Sequence, residues 1–438
     1  MGENKRETKS GQASKSSELL FLRFSRDAFR PSKKLDAHGL AAHSCAMRIV
    51  LATCGSAHLR AVSRALQDRE ALAGLWISDK NTTGISPDKF RRCWAYQLAM
   101  KPFFHLAPPG VTEKMAMALL PIWGSWIRRQ REMPFDVAYA IMGHGTELFE
   151  RAERVGALKV LDASSSHPTS FYGFWQRECD IWCPGAKVGI PRWIFARANR
   201  ELERADVILC PSKFVRDSML YNGIPESKCV VNPYGVNTSQ FTPRLALPEK
   251  PRFICVGTIC LRKGHQYLFR AFEKVRKILK EAELVCVGGF YPDFRRERPR
   301  WEGTFTHYQN IPHVAVSLGG PQLTQLLRES TAFVFPSNEE GFARAIIEAM
   351  ASGLPVIATH ESGATTLVDD GVEGWIIRAR SVDELADAMI KAASNPVTNE
   401  KMGRAAYARG AQKNSWGDYA ERTIQICRTM MEKQKKSK

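Results

Sequence analysis

The pattern of apolar and polar positions changes character at Met47. Residues 1–46 are Lys/Ser/Glu-rich at the start and show no sustained periodicity. At Met47 the chain turns into Met-Arg-Ile-Val-Leu-Ala-Thr-Cys-Gly-Ser, a short apolar run closed by a Gly turn. A continuous run of this length, bounded by a turn residue, is how a strand buried on both faces reads. Runs of the same kind predict strands at Arg48–Thr53, Val137–Met142, Leu158–Asp162, Val207–Cys210 and Val230–Asn232. A second series follows the Pro-rich link Pro243–Pro251, at Arg252–Gly257, Leu284–Gly288, Ala332–Pro336, Pro355–Ala358 and Gly374–Ile377.

Longer amphipathic segments separate these runs. Strand and helix alternation predicts parallel sheets, and two series divided by a linker predict two α/β domains. The expected organisation is an N-terminal extension over 1–46, a first Rossmann-like domain over 47–243, a linker over 244–251 and a second Rossmann-like domain over 252–415. A C-terminal helix packing back toward the first domain, with a basic tail, is expected over 416–438. The extension has too short an apolar stretch for a cleavable signal peptide. Lacking a periodic apolar face, it should be dispensable for folding. Ligands of open α/β sheets bind beyond the carboxyl ends of the strands, so the cleft between the domains is where chemistry is expected.

Composition narrows the class. With 44% hydrophobic and 25% charged residues among 438, the chain can bury two cores and is not largely disordered. Its 63 Lys+Arg against 45 Asp+Glu give a net charge of +18, which favours an anionic partner: nucleic acid, a phospholipid surface or a phosphorylated ligand. The 11 cysteines are odd in number and several lie in apolar runs, as expected for reduced thiols of a cytosolic protein. Cys179 and Cys183 are not accompanied by a second pair at zinc-like spacing, so no metal site is expected. No run reaches the ~18 apolar residues of a spanning helix. Met115–Ile127 comes nearest and is broken by Pro121 and Gly124.

The most informative segment is Phe333-Val-Phe-Pro-Ser-Asn-Glu-Glu-Gly-Phe-Ala-Arg-Ala-Ile-Ile-Glu-Ala-Met-Ala-Ser-Gly353, read as strand, loop and helix. Phe342, Ala345, Ile346, Ala349, Met350 and Gly353 fall on one helix face. Glu348 lies off that face and Glu340 precedes the helix, so both carboxylates are expected free of the core. A helix N-terminus aimed at a cleft offers unpaired N–H groups to an anion or a hydroxyl-rich ligand. A neighbouring carboxylate can grip ribose or sugar hydroxyls. Taken as any two glutamates, the pair would simply be solvated. A second segment, Val256-Gly-Thr-Ile-Cys-Leu-Arg-Lys-Gly-His265, places Arg262 and Lys263 at a Gly turn after a strand. Such a pair suits a diphosphate, although an Arg-Lys-Gly run alone is more often a solvated turn.

Together these residues resemble the signature of the retaining glycosyltransferases of family four, which have the GT-B fold. The resemblance extends over most of residues 47–425 and is most specific in the second domain. It implies a nucleotide-sugar donor, a glycan or lipid-linked acceptor, retention at the anomeric carbon and no metal cofactor. By resemblance Glu340 and the backbone of Gly341, Phe342 and Ala343 contact the donor sugar, Glu348 the ribose, and Lys263 with Arg262 the diphosphate. Ala343 replaces the family's usual Gly, and Thr258 stands where an Arg is frequent, with Arg262 as the compensating cation. His167, in the loop after Leu158–Asp162, matches a histidine near the transferred sugar. Gly55 and Ser56 resemble the acceptor-side Gly loop. Lys263, Glu340 and His167 are therefore the candidate catalytic residues. Thr366 stands where the family usually has Glu and is left out of the site.

Between Lys89 and Arg131 lie eight Lys/Arg, one acid (Glu113) and seven aromatics, among them Trp94, Tyr96, Trp123 and Trp126. Interleaved cations and aromatics suit an anionic membrane interface. They also suit single-stranded nucleic acid, or a core-facing aromatic set with solvated charges. Family members often act on membrane-borne acceptors, so the resemblance implies a protein at the inner face of a membrane, without nucleic acid. Two rivals are an epimerase of nucleotide sugars on the same fold and a non-catalytic basic binder of membrane or nucleic acid.

Overall fold

Seven parallel strands form the first sheet: β1 (Ile49–Thr53), β2 (Leu72–Ile77), β3 (Phe90–Arg92), β4 (Val137–Ile141), β5 (Leu158–Asp162), β6 (Val207–Cys210) and β7 (Cys229–Val231). This computed structural model describes residues 47–438, apart from 56, 81–83, 107–108, 186–187, 295–296, 309–320, 411–414 and 437–438. The second sheet holds β8 (Arg252–Val256), β9 (Glu283–Val287), β10 (Thr306–Tyr308), β11 (Ala332–Phe335), β12 (Val356–Thr359) and β13 (Gly374–Ile377). The first runs in the order β3-β2-β1-β4-β5-β6-β7 and the second in the order β10-β9-β8-β11-β12-β13. In each, the chain enters at the centre, builds outward on one side and then crosses to the other. The crossover creates a switch point between β1 and β4 in one sheet and between β8 and β11 in the other, where α/β sheets open to ligands.

All ten strands expected from apolar runs are present, within a residue or so of the expected bounds. Three strands escaped that reading. β3 (Phe-Arg-Arg) and β10 (Thr-His-Tyr) are three-residue edge strands without an apolar run. β2 continues from a segment that reads as the end of the preceding helix, and Gly74 interrupts it. The shared rule is that a central strand, covered on both faces, must be apolar, whereas an edge strand is free to be polar.

Helix Pro168–Trp182 follows β5 in the first half of the chain but packs its Trp175 and Cys179 into the apolar cluster around Phe253, Leu268 and Phe269 of the second sheet. Its Glu178 is wholly buried. That carboxylate accepts from Gln266 Nε2 at 2.8 Å, Tyr267 Oη at 2.9 Å and Arg380 Nε at 2.6 Å. Trp175 Nε1 donates to Asp293 Oδ2 at 3.0 Å. The long helix Trp416–Lys436 meets the first sheet through Tyr419, whose hydroxyl lies 2.7 Å from that of Tyr139. Asn232 Nδ2 donates to Thr423 Oγ1 on the same helix at 3.0 Å.

Candidate active site

The donor-side residues converge because two loops leave neighbouring strands at the second switch point. β8 ends at Val256, and Gly257 turns the chain with a φ of +145°, a backbone conformation that favours glycine. Gly55 makes the same turn after β1, at +144°. The loop after Gly257 carries Thr258, which is exposed, and then Arg262 and Lys263 ahead of helix His265–Ile278. β11 ends at Phe335, and the loop 336–343 leads into helix Arg344–Ala351. Asn338 N donates to Arg262 O at 2.9 Å, so the two loops are stitched side by side.

Lys263 Nζ lies 2.5 Å from Glu340 Oε2, and Arg262 Nη1 lies 3.5 Å from the same oxygen. Arg262 Nη1 also donates to Glu339 Oε2 at 2.8 Å. Burial alone would raise the Glu340 carboxyl, but the two cations outweigh it and hold the pKa below the usual carboxylate range. Burial likewise opposes the Arg262 charge, and Glu340 and Glu339 reverse that, raising its pKa. Two cations, Arg262 and Lys263, thus sit against the two carboxyl groups of Glu339 and Glu340.

Both glutamates expected to be free of the core are in fact withdrawn from solvent. The Glu340 side chain keeps 19% exposure and Glu348 as a residue 7%. Helix Arg344–Ala351 is buried on nearly every face because β11, β12 and the following helices enclose it, which a single-face reading cannot anticipate. Glu348 Oε2 has no hydrogen-bond partner. Burial pushes its carboxyl up to about 7 although Arg344 pulls the other way. Helix Arg344–Ala351 starts at Ala343 with no side-chain cap; in its first turn Arg344 N donates to Phe342 O at 3.1 Å and Ile346 N to Ala343 O at 2.9 Å. Phe342 turns its ring edge-on to Tyr234, 5.5 Å between centroids, and serves packing.

Gly341 is not open to a cleft. A Cβ built on it would come 2.1 Å from Ser164 O in the loop after β5, so only glycine fits this approach of the two domains. Two residues earlier, Glu339 is wholly buried and accepts from Ser166 N at 3.1 Å and Ser166 Oγ at 3.0 Å. It was not singled out from sequence, because a Glu-Glu pair in a loop reads as solvated surface. His167 follows Ser166. Its Nδ1 accepts from Thr169 N at 3.2 Å as the N-cap of helix Pro168–Trp182, and burial pushes its pKa down to about 4, so the ring is neutral.

On the first-domain side, Gly55 is exposed after β1, while Ser56 lies outside the described residues. The loop after β4 contributes His144, also missed. Its Nδ1 lies 3.3 Å from Thr53 Oγ1 and its Nε2 3.3 Å from Cys54 Sγ, and burial lowers its pKa to about 4. Glu201, wholly buried, holds this loop by accepting from Gly143 N at 2.6 Å and Gly145 N at 3.0 Å. The loop 314–320 lies outside the described residues. Among the described residues no group of three or more His, Cys, Asp or Glu side chains is placed to hold a metal ion.

The basic and aromatic stretch is divided by the fold. Tyr96 and Trp123 are core residues, so neither can insert into a membrane. Arg128 Nε donates to Glu150 Oε2 at 2.8 Å. Trp94 and Leu98 remain 60% and 65% exposed, and Arg92 stacks 3.6 Å over the Trp94 ring. No described helix is long and apolar enough to cross a membrane.

Comparison with known proteins bears on this geometry. Residues 238–409, the linker's start and most of the second sheet with its two stitched loops, match the family described as glycosyl transferases group 1. This segment is similar to that family, and the match covers less than half of the chain. Among curated relatives, the D-inositol 3-phosphate glycosyltransferase of Kribbella flavida is 31% identical over 232 residues, 49% of this chain and 53% of that protein. A GDP-mannose-dependent alpha-(1-6)-phosphatidylinositol monomannoside mannosyltransferase of Mycobacterium tuberculosis is 26% identical over 260 residues, 55% of this chain and 62% of that protein. The matches thus span about half to three-fifths of these relatives. Sucrose-phosphate synthase of Thermosynechococcus elongatus superposes with a TM-score of 0.67 at 18% identity, covering 88% of this chain and 99% of that one. HepE of Anabaena, solved with UDP and glucose, superposes with a TM-score of 0.58 at 14% identity over 87% of this chain and 100% of that one. The group 1 match and the strand orders of both sheets place the chain in the GT-B fold.

Proposed function

We propose that the chain is a retaining glycosyltransferase that moves a sugar from a nucleoside-diphosphate sugar to a hydroxyl acceptor in surface-polysaccharide, lipopolysaccharide or glycolipid synthesis. The observation that carries this reading is the pairing of Arg262 and Lys263 with Glu340, together with the buried Glu348, whose Oε2 lacks a hydrogen-bond partner. The nucleotide bound to HepE and the GDP-mannose dependence of the mycobacterial relative support a nucleoside-diphosphate sugar as donor class.

In the proposed reaction the bond between the anomeric carbon and the diphosphate breaks, and negative charge grows on the leaving phosphate. Lys263 as a compact charge and Arg262 as a planar fork stabilise that charge most where water is excluded. A diphosphate displaces Glu340 from the cations, and the freed carboxylate then accepts hydrogen bonds from the sugar. Glu348 accepts from the ribose hydroxyls, which supply the donors its buried oxygen lacks. His167, neutral and held by its cap, offers its other ring nitrogen to the sugar. The cations of this chain can serve the leaving group without a metal, as the family resemblance implies.

The exposed Trp94, Leu98 and Lys101 lie at i, i+4 and i+7 of helix Trp94–Leu106 and so share one face. They support a second element of the proposal, reversible contact of the first domain with an anionic membrane.

Thermal-shift measurement against a panel of nucleoside diphosphates and their sugars tests the donor reading. A ligand at 100 times its Kd stabilises by about 2.7 kcal/mol. At least one nucleotide should raise the melting temperature of the protein and fail to raise that of Lys263→Ala. Stabilisation by none, or equal stabilisation of both proteins, overturns the proposal.

A further inference from the structure

The first domain contains a cavity of about 220 Å³ that the donor site does not use. Its wall is built by Met117, Leu120, Met142, Phe171, Ile194 and Phe195, from four separate helices and the residue after β4. Its polar lining is confined to His144 and Ser165. Ser165 adjoins Ser164, whose carbonyl presses on Gly341, and a Cβ on Gly341 would also come 3.0 Å from Ser165 Cα. Phe171 lies 5.7 Å beneath the Arg262 guanidinium. Ser165 therefore abuts the loop that carries Glu340, and apart from His144 the other lining side chains are apolar.

Met117, Met142, Phe171, Ile194 and Phe195 are only partly buried. An apolar hollow whose walls remain accessible gives up part of the burial that close packing would supply. Ligand sites have this composition, predominantly apolar walls with a few polar groups at one end. Two methionines add side chains that re-pack around an irregular guest.

We propose that this cavity receives the apolar chain of an amphiphilic acceptor, with the acceptor's hydroxyl end at Ser165 and His144. The proposal deepens the transferase reading by naming the acceptor class and rests on it for the direction of transfer. A wholly polar glycan acceptor would have nothing to place against these walls.

Titration calorimetry on the full chain, with hexyl, heptyl, octyl and nonyl glucosides below their micelle concentrations and glucose alone as control, tests it. Each methylene buried should tighten binding about fourfold, with the gain ending within the series once the cavity is filled. Glucose alone should give no heat. Phe195→Glu, at a partly buried position, and Ile194→Trp, which fills the space, should each weaken the octyl glucoside at least tenfold. Both should keep the melting temperature and the nucleoside-diphosphate affinity of the parent. No binding of octyl glucoside by the parent protein overturns the proposal. So does a gain that continues through the series and is the same in both variants, which marks adsorption to the outer surface. Variant-sensitive alkyl binding without any nucleotide binding keeps the cavity assignment and defeats the transferase reading instead.

Discussion

One oxygen, Glu340 Oε2, holds both donor-site cations, with Lys263 Nζ at 2.5 Å and Arg262 Nη1 at 3.5 Å. On the proposed donor reading, the carboxylate occupies the position that a diphosphate would take. Ligand binding is then an exchange of one anion for another, and the sign of each mutational effect follows from that.

Lys263→Ala should weaken nucleoside-diphosphate binding by at least about tenfold, equivalent to 1.4 kcal/mol. Glu340→Gln should do the opposite, tightening the diphosphate several-fold by removing its competitor, while turnover falls because the sugar loses its acceptor oxygen. Calorimetry with the nucleotide and a turnover assay on the same samples separate the two. Weaker nucleotide binding in Glu340→Gln would contradict the exchange.

Glu348 gives a pH signature. Burial raises its carboxyl to about 7 from the ordinary 4.5, so in the free protein near neutral pH it is partly protonated. Hydrogen bonds from ribose hydroxyls favour the ionised form and lower that pKa on binding. Nucleotide binding should therefore release a proton near pH 7, and affinity should rise between pH 6 and 8. For stability the sign is reversed: the raised folded pKa costs stability progressively as pH rises from 4.5 through 7. Calorimetry in buffers of different ionisation enthalpy measures the proton release, which Glu348→Gln should abolish beyond the nucleotide's own titration.

Gly341 tests the domain contact. Its Cβ position is 2.1 Å from Ser164 O, a backbone atom that cannot swing aside as a side-chain tip would. Gly341→Ala should lower stability by about 1–3 kcal/mol and reduce turnover by displacing the loop that carries Glu340. An unchanged melting temperature would mean that the loops part at no cost.

What the sequence made legible follows physical locality. The central strands announced themselves because burial on both faces forces continuous apolar runs, and β3 and β10 did not because edge strands carry no such demand. That Arg262, Lys263 and Glu340 come together was legible through the family resemblance, since as loop residues alone they read as solvated. Glu339 with Ser166, and Glu178 with Arg380, were not, because each pair joins residues more than 170 positions apart. A buried carboxylate satisfied by distant partners has no local pattern that distinguishes it from a solvated one. The same limit explains Trp123, which counted toward a surface from its neighbours in sequence and lies in the core.

The membrane proposal now rests on particular side chains. Arg128 already pairs with Glu150 and lies 3.7 Å from Glu147, so its charge is largely answered within the protein, and Arg128→Glu should change vesicle binding little apart from its effect on net charge. Trp94, Leu98 and Lys101 are exposed on one face, so changing all three to Glu should leave the stability within about 1 kcal/mol of the parent, as surface substitutions do. Each cation near an anionic surface contributes about 1 kcal/mol, screened beyond a Debye length of about 8 Å at physiological salt. The salt-resistant part should come from Trp94 and Leu98, whose side chains can enter the interface. Sedimentation with phosphatidylserine-rich vesicles at low and high salt should find the parent bound at low salt and partly retained at high salt, with the triple variant released in both. Equal binding by the parent and the triple variant would assign this helix face to something other than a bilayer.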